Sequence, residues 1–394
     1  MSHGIDFAAE GLLEGTSDER SVVARERLLE HLLGQGVPLA ELKNAVLEGR
    51  LLLLPIEQAM GGDLKYTVEE AAQKCGLDVE LMLELRRSLG LAEPPRDQPL
   101  LSDLDIGVYM GVKHFLDMGI SIKSVREITR VLGAGMSQVA ATVERVMIND
   151  FLVPEDDEYE IAMRFERVAQ SIAPEFGFVL LHIHNLHLRE QTRMDVLNLG
   201  TMELLSDARE MAVCFADLVG FTALGAQVPP DELSEIATRL TELTVAIVQP
   251  PVRLIKTIGD AVMLASTETV PLLNTALDLL DAVIAEGEGF PQIRLGVAVG
   301  EVIVRSGDIY GPPVNLASRM CDVAKPSSVL AEKHVQELYP DDYEWSNAGH
   351  RRFKNMPEPI EGWRLRRKGT GKRAEKSRAS EARSDGRRSS SRRS

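Results

Sequence analysis

Cysteine is scarce in this 394-residue chain, which has only Cys75, Cys214 and Cys321, all far apart. That spacing fits neither a thiolate metal cluster nor a redox pair and leaves reduced core residues as the reading. No run approaches about 18 uninterrupted apolar residues, so no membrane span is expected. The opening segment, residues 1–20, is acidic and lacks the basic flank and apolar stretch of a secretory signal, so a cytoplasmic location is expected. Basic charge is also in short supply, with 44 Lys and Arg against 60 Asp and Glu, a net charge of −16. The deficit is uneven. From Arg366 onward there are 12 basic and 3 acidic residues, so this tail carries +9 and the rest of the chain −25. A body that acidic is a poor electrostatic partner for nucleic acid.

The length suggests two domains. Residues 1–20 read as frayed or disordered. From about Ser21 to Leu197 the apolar spacing is helical, broken by Gly and Pro. Leu28, Leu29, Leu32 and Leu33 precede Gly36, and Leu39, Leu42 and Val46 follow it. A similar unit recurs around Val112, Phe115 and Leu116, Gly119, then Ile122, Val125 and Ile128. Each reads as helix, glycine turn, helix. Between them, Tyr66 to Asp78 and on through Leu81, Leu85 and Leu89 resembles the helix-turn-helix of a MerR-type regulator. Thr67 would cap its first helix and Gly76 would sit in the turn. Glu80 and Glu84 lie on the would-be recognition helix, where carboxylates repel phosphates. Packing or partner contact is therefore favoured over DNA binding.

After a short connection at 199–209 the pattern changes. Met211 to Ala216 is a short apolar run suited to a buried strand. Asp231 to Val248 is an amphipathic helix. Val252–Ile258 and Ala261–Leu264 flank Gly259-Asp260, the signature of a hairpin. A helix at about 270–286, a strand pair around 293–305 and a helix from about Pro313 follow. This order predicts an antiparallel sheet with helices on one side, an α+β domain. The Arg- and Ser-rich tail should be disordered and solvated, with a nucleic-acid or membrane-surface role as the alternative. The expected division is a helical domain at 1–198, a linker at 199–209, an α+β domain at 210–368 and the basic tail at 369–394.

Two carboxylates stand out. Asp217 ends the first strand in Phe215-Ala216-Asp217-Leu218-Val219-Gly220-Phe221-Thr222, and Asp260 sits at the hairpin tip in Ile255-Lys256-Thr257-Ile258-Gly259-Asp260-Ala261-Val262-Met263. If the sheet brings those ends together, the pair can share divalent cations, and two metals can clamp a phosphoryl transfer. Taken singly, each Asp reads first as a strand end or a turn residue.

These two segments resemble the metal motifs of the class III adenylyl and guanylyl cyclases. Gly311-Pro312-Pro313-Val314-Asn315-Leu316-Ala317-Ser318-Arg319 resembles a third motif of that family. The resemblance covers about residues 207–368 and implies a ferredoxin-like class III cyclase fold. It implies that Asp217 and Asp260 bind two Mg²⁺ or Mn²⁺ ions per active site, helped by the Leu218 carbonyl, and that the turn holding Phe221 and Thr222 cradles the triphosphate. Lys256 and Asp308 match the purine-selecting pair, Asn315 and Arg319 the transition-state pair, and Lys354 the basic residue that holds the terminal phosphates. Arg351, Arg352 and Arg364 lie near Lys354 and compete for that role. Adenine offers N1 as acceptor and N6 as donor, so a lysine and a carboxylate complement it, and ATP is expected over GTP. In the family each site lies between two catalytic domains, so a chain with all six residues implies a head-to-tail homodimer.

The helical half resembles the regulatory half of actinobacterial pH-responsive adenylyl cyclases, which implies autoinhibition relieved by acid. His182, His184 and His187 fall close to the connection and form a candidate sensor, since imidazole gains charge across mildly acidic pH. Ordinary helix positions or a metal site are the other readings of these histidines. Phe176, Phe178, Val179, Leu180, Leu181 and Ile183 form an apolar run that suits core or dimer packing, or a groove for a lipid or a partner helix. The competing functions are a non-catalytic cyclase-like signalling module whose helical half binds a partner or DNA, and a guanylyl cyclase. The filled catalytic positions disfavour the first, and Lys256 with Asp308 the second. A diguanylate cyclase is disfavoured further, because the hairpin has no G-G-D-E-F or G-G-E-E-F.

Overall fold

Capping chemistry opens the first helix. The Asp18 carboxylate accepts from the Ser21 N–H, and the Ser21 hydroxyl reaches back to the cap, which starts α1 (Glu19–Gly34). A computed structural model describes residues 5–198, 208–353 and 359–369. The chain divides into two units, Met1–Arg189 and Glu190–Ser394. Among the described residues no helix is long and apolar enough to cross a membrane.

In the first unit α1 is followed by α2 (Leu39–Leu47), a 3₁₀ turn at Leu51–Leu53 and α3 (Leu54–Gly61). Gly36, at φ 89°, makes the expected turn between α1 and α2. Leu28, Leu29 and Leu32 of α1 and Leu42 of α2 form a core with Ala162 from a later helix. Leu12 is fully buried in that core, with Phe7 and Leu13 against it. The expectation of a frayed N-terminus is thereby corrected for these residues: three apolar side chains in an otherwise polar stretch suffice to dock it.

The segment from α4 (Val68–Cys75) to α5 (Val79–Ser88) is a helix-turn-helix. Thr67 and Glu70 form a capping box, and Gly76 takes the left-handed conformation at φ 66°. Val68, Ala71, Ala72, Cys75, Met82 and Leu83 are buried, together with Ile106 and Tyr109 of α6 (Asp103–Asp117). The apolar side chains of both helices thus go to the unit's own core. Then come α7 (Ile122–Phe151) and α8 (Glu158–Asn198), 30 and 41 residues long. Gly133 of α7 lies against the backbone of Leu89, with no room for a side chain. On α8, Phe178, Val179, Leu181 and Ile183 are exposed, so the apolar run is not part of the core described here.

The second unit is built on one sheet, ordered β2-β3-β1-β4-β6-β8-β7 with β5 beside β4. Its strands are β1 (Ala208–Leu218), β2 (Arg253–Ile258), β3 (Ala261–Ser266), β4 (Ile293–Arg305), β5 (Asp308–Tyr310), β6 (Ser328–Glu332), β7 (Glu344–Arg351) and β8 (Ile360–Arg366). Its helices are α9 (Phe221–Leu224), α10 (Pro230–Ile247), α11 (Thr269–Ala285), α12 (Pro312–Val323) and α13 (Lys333–Leu338). The strand pair expected at 293–305 is one long strand, β4, and its short partner β5 follows it. β4 and β6 run parallel, so the sheet is mixed rather than wholly antiparallel.

Alternation along β1 separates two cores. Ala212, Cys214, Ala216 and Leu218 pack beneath α10, α11 and α13, through Leu240, Leu272 and Val335. Met211 and Val213 face the other way, with Ala298, Ile309 and Ala317 of α12. Helices therefore cover both faces, which corrects the expectation of one covered side. The reason lies in β4. A Cβ at Gly296 would stand 2.7 Å from Cys321 Cα and closer still to Cys321 N and Ala317 O, so the glycine lets the α12 backbone rest directly on the strand.

Candidate active site

The register of β1 assembles the first group. Asp217 lies opposite Ala261 on one side and Arg294 on the other. The hairpin tip is held against the strand end by the Leu218 N–H, which donates to the Asp260 carbonyl at 3.3 Å. Gly259 supplies the left-handed residue of the turn at φ 60°. Asp217, Leu218 and Asp260 are thus brought together as expected. The Asp260 carboxyl is pushed above the usual range, first by burial and then by the negative charge of Asp217; its own backbone N–H and Arg294 act in the opposite direction.

Arg294 belongs to this group and was not singled out in the sequence. Its Nε and Nη2 donate to Asp217 Oδ2 at 2.8 and 2.6 Å, while Nη1 donates to the Asp322 carbonyl at 2.6 Å. The signal available was a lone arginine opening the apolar strand Leu295–Val299. Without a register for β1 and β4, it reads as a surface residue.

Oxygen ligands on two neighbouring carboxylates suit a hard cation, and Mg²⁺ is held by one or two carboxylates plus substrate phosphates. Among the described residues no three His, Cys, Asp or Glu side chains form a larger cluster. The donor set therefore fits Mg²⁺ or Mn²⁺ arriving with a polyphosphate and does not resemble a zinc site. Directly after Leu218, Gly220 turns at φ 79° into α9, which starts at Phe221 and Thr222. The opening N–H groups of a helix lack intrahelical acceptors and point toward an anion.

A second group forms between β2 and β5. Lys256 Nζ donates to Asp308 Oδ2 at 2.5 Å, and Asp308 Oδ1 accepts the Ile309 N–H at 2.8 Å. The backbone bond orients the carboxylate, and the lysine is drawn to it from 52 residues away in the chain. Both side chains are partly exposed, at 38% and 24%, so the pair remains open to a ligand.

Asn315 and Arg319 lie one turn apart on α12, which Gly311, Pro312 and Pro313 initiate. Asn315 is exposed and Arg319 half-buried. Lys354 lies outside the described residues. His182, His184 and His187 are all exposed on α8, with the His182 ring stacked on Phe178 at 6.2 Å. Cys214 and Cys321 are free and buried; burial pushes the Cys214 thiol up to about 12.

Residues 5–192 match the adenylate cyclase regulatory domain family, and residues 205–366 match the adenylate and guanylate cyclase catalytic domain family. The chain is 34% identical over 363 residues to the pH-sensitive adenylate cyclase MT1302 of Mycobacterium tuberculosis, covering 88% of this chain and 89% of that protein. It is 29% identical over 284 residues to an adenylate cyclase of Streptomyces coelicolor, covering 71% of this chain and 72% of that one. Among solved structures, the adenylyl cyclase CyaB from P. aeruginosa aligns with 40% of this chain and 94% of its own at 19% identity, with a TM-score of 0.37. The protein therefore belongs to the class III adenylate cyclases, in the branch that places an adenylate cyclase regulatory domain ahead of the catalytic domain.

Proposed function

We propose that this enzyme converts ATP to 3′,5′-cyclic AMP and pyrophosphate, as a homodimer with two shared sites, under the control of its helical half. The observation that carries the reading is the Lys256–Asp308 pair, in the same sheet that sets Asp217 beside Asp260. Lys256 would donate to adenine N1 and Asp308 accept from N6. Guanine, with O6 as acceptor and N1–H as donor, meets the wrong partner at each position. A cytoplasmic location goes with ATP as substrate.

In the reaction the ribose 3′-hydroxyl attacks the α-phosphorus and pyrophosphate leaves. Two divalent cations bound at Asp217 and Asp260, with the Leu218 carbonyl, would lower the hydroxyl's pKa and neutralise the triphosphate. The N–H groups opening α9, at Phe221 and Thr222, receive phosphate oxygens. Arg294 holds the same carboxylate through Nε and Nη2 and so fixes the orientation of Asp217. Asn315 orients the ribose, and the Arg319 guanidinium stabilises charge growing on the α-phosphate. Lys354 is assigned to the terminal phosphates.

The homodimer follows from the resemblance: one chain supplies the aspartates, and the other supplies Lys256, Asp308, Asn315 and Arg319. Exposed Phe178, Leu181, Leu186 and Leu188 on α8 also suit helix pairing between copies or contact with a lipid. Mixing inactive Asp217→Ala and Arg319→Ala chains tests the shared site. Heterodimers that form yet regain no activity refute it. Acidic activation rests on the pH-sensitive relative and on His182, His184 and His187. The test is cyclase activity with Mg²⁺ or Mn²⁺ on the full chain and on residues 207–394, at pH values of about 5.5 and 8 that bracket the ordinary imidazole range. The reading predicts an acid-stimulated full chain and a constitutively active fragment. ATP and GTP turned over with equal kcat/KM would exclude the purine assignment.

A further inference from the structure

His31 of α1 faces Glu166 of α8, with Nε2 3.4 Å from Oε2. Glu166 is 8% exposed. Its Oε1 accepts from the Nε2 atoms of Gln35 and Gln170, each at 3.1 Å, which leaves Oε2 turned toward the imidazole. The His31 Nε2 is itself buried and satisfies hydrogen-bond geometry with no group. The ring is set edge-on to Tyr159 at 6.2 Å. A cavity of 530 Å³ opens at this place.

The surrounding charges are mostly committed elsewhere. From the α7–α8 connection, Asp156 holds Arg164, whose Nε and Nη2 donate to it at 2.8 and 2.5 Å. Asp157 stands 3.9 Å from Arg27 of α1, whose guanidinium lies 4.1 Å from the Tyr159 ring centre. From α8, Glu160 accepts the Asp157 N–H at 2.9 Å, and Arg167 donates to the Met163 carbonyl at 3.1 Å. Among the described residues no Lys or Arg pairs with Glu166. The cavity wall thus holds the carboxylates Asp156, Glu160 and Glu166 against Arg164 and Arg167, one negative charge in excess until His31 takes a proton.

We propose that His31 and Glu166 form an acid-operated clasp that ties α1 to the first turns of α8. A protonated imidazole donates Nε2–H to Glu166 Oε2 and cancels the excess charge, giving a charge-assisted bond across the two helices. The sign follows from the proton: the tie is present at acid pH and is lost as pH rises through the imidazole range. The clasp deepens the reading of an acid-regulated cyclase. It lies 16 residues, about 24 Å of helix, from His182 on the same α8. It is therefore a second input to the helix that leads toward the catalytic half.

The experiment is amide hydrogen exchange on the full-length protein at pH values of about 6 and 8, either side of the ordinary imidazole pKa and corrected for intrinsic rates. In the wild type, α1 and the first turns of α8 should gain about tenfold to a hundredfold protection in acid, as a charge-assisted bond implies. His31→Gln and Glu166→Gln should each abolish that gain while the catalytic sheet keeps its protection. A wild-type pH response in either folded variant overturns the clasp. Should both variants unfold, NMR of the wild type decides: the His31 ring and the Glu166 carboxyl carbon must titrate together, and independent titration refutes the proposal. Cyclase activity measured in parallel separates the two ideas. Protection that changes with pH while activity does not leaves the clasp standing and removes acid activation; activity that responds while His31→Gln leaves protection unchanged does the reverse.

Discussion

Replacing Gly296 by Ala tests the seat of α12 on β4. The added Cβ would lie 2.7 Å from Cys321 Cα, against an optimum of about 3.5 Å or more for carbon–carbon contact. The nearest obstacles are backbone atoms, Cys321 N and Ala317 O, so no side-chain rotation relieves the clash. The helix must lift by about 1 Å, and forced overpacking of this kind costs about 1–3 kcal/mol. For a unit of this size that corresponds to a fall in Tm of about 2–12 °C. Asn315 and Arg319 ride on the same helix, whereas Asp217 and Asp260 belong to β1 and the hairpin. A displacement of about 1 Å at catalytic groups costs on the order of a hundredfold in rate. kcat should therefore fall by about that factor while Mn²⁺ binding, followed by its EPR signal, stays near wild type. Mixed with Asp217→Ala chains, the variant should regain activity through one intact site per heterodimer. Unchanged kcat together with unchanged Tm would show that α12 is not seated on Gly296.

Three further outcomes are expected. Lys256→Ala should reduce the ratio of kcat/KM for ATP over GTP by about tenfold or more, the usual worth of a specific base contact, whereas Asp217→Ala should lower both activities by a common factor and leave the residual preference unchanged; steady-state assays with each nucleotide decide it. The Asp260 carboxyl is raised, so the folded state holds its proton more tightly than the unfolded chain does, and the stability this group contributes is present in acid and lost as pH rises. Asp260→Asn should therefore raise the Tm of metal-free protein near neutrality, with the gain vanishing in the acid carboxylate range, while turnover is abolished. In the helical unit, Gly133→Ala places a Cβ 2.6 Å from Leu89 Cα and should lower stability by about 1–3 kcal/mol by forcing α7 from the end of α5, measured by denaturant unfolding.

Much of this protein was legible in its sequence because the information is local. Gly259-Asp260 between two apolar runs is a hairpin wherever it stands. Thr67 with Glu70, and Gly76 after Cys75, mark the start and end of α4 by backbone chemistry alone. The cyclase motifs at Phe215–Thr222, Ile255–Met263 and Gly311–Arg319 carried five of the expected site residues, Asp217, Lys256, Asp260, Asn315 and Arg319, before any sheet was known. Contacts set by long-range register were not legible. Arg294 reaches Asp217 across 77 residues, through the pairing of β1 with β4, and nothing near either residue announces it. The covering of both sheet faces depends on one missing Cβ at Gly296, which is silent until α12 is laid over it. Leu12 and its neighbours looked frayed because the core that receives them comes from α1, α2 and α8.

Sequence alone therefore determined most of the elements and the family, since capping, periodicity and motif residues act over a few positions. Tertiary structure decided which charges meet. It set Arg294 on Asp217, closed Lys256 on Asp308, and buried Glu166 opposite His31, because burial and ion pairing depend on which strands and helices adjoin in space.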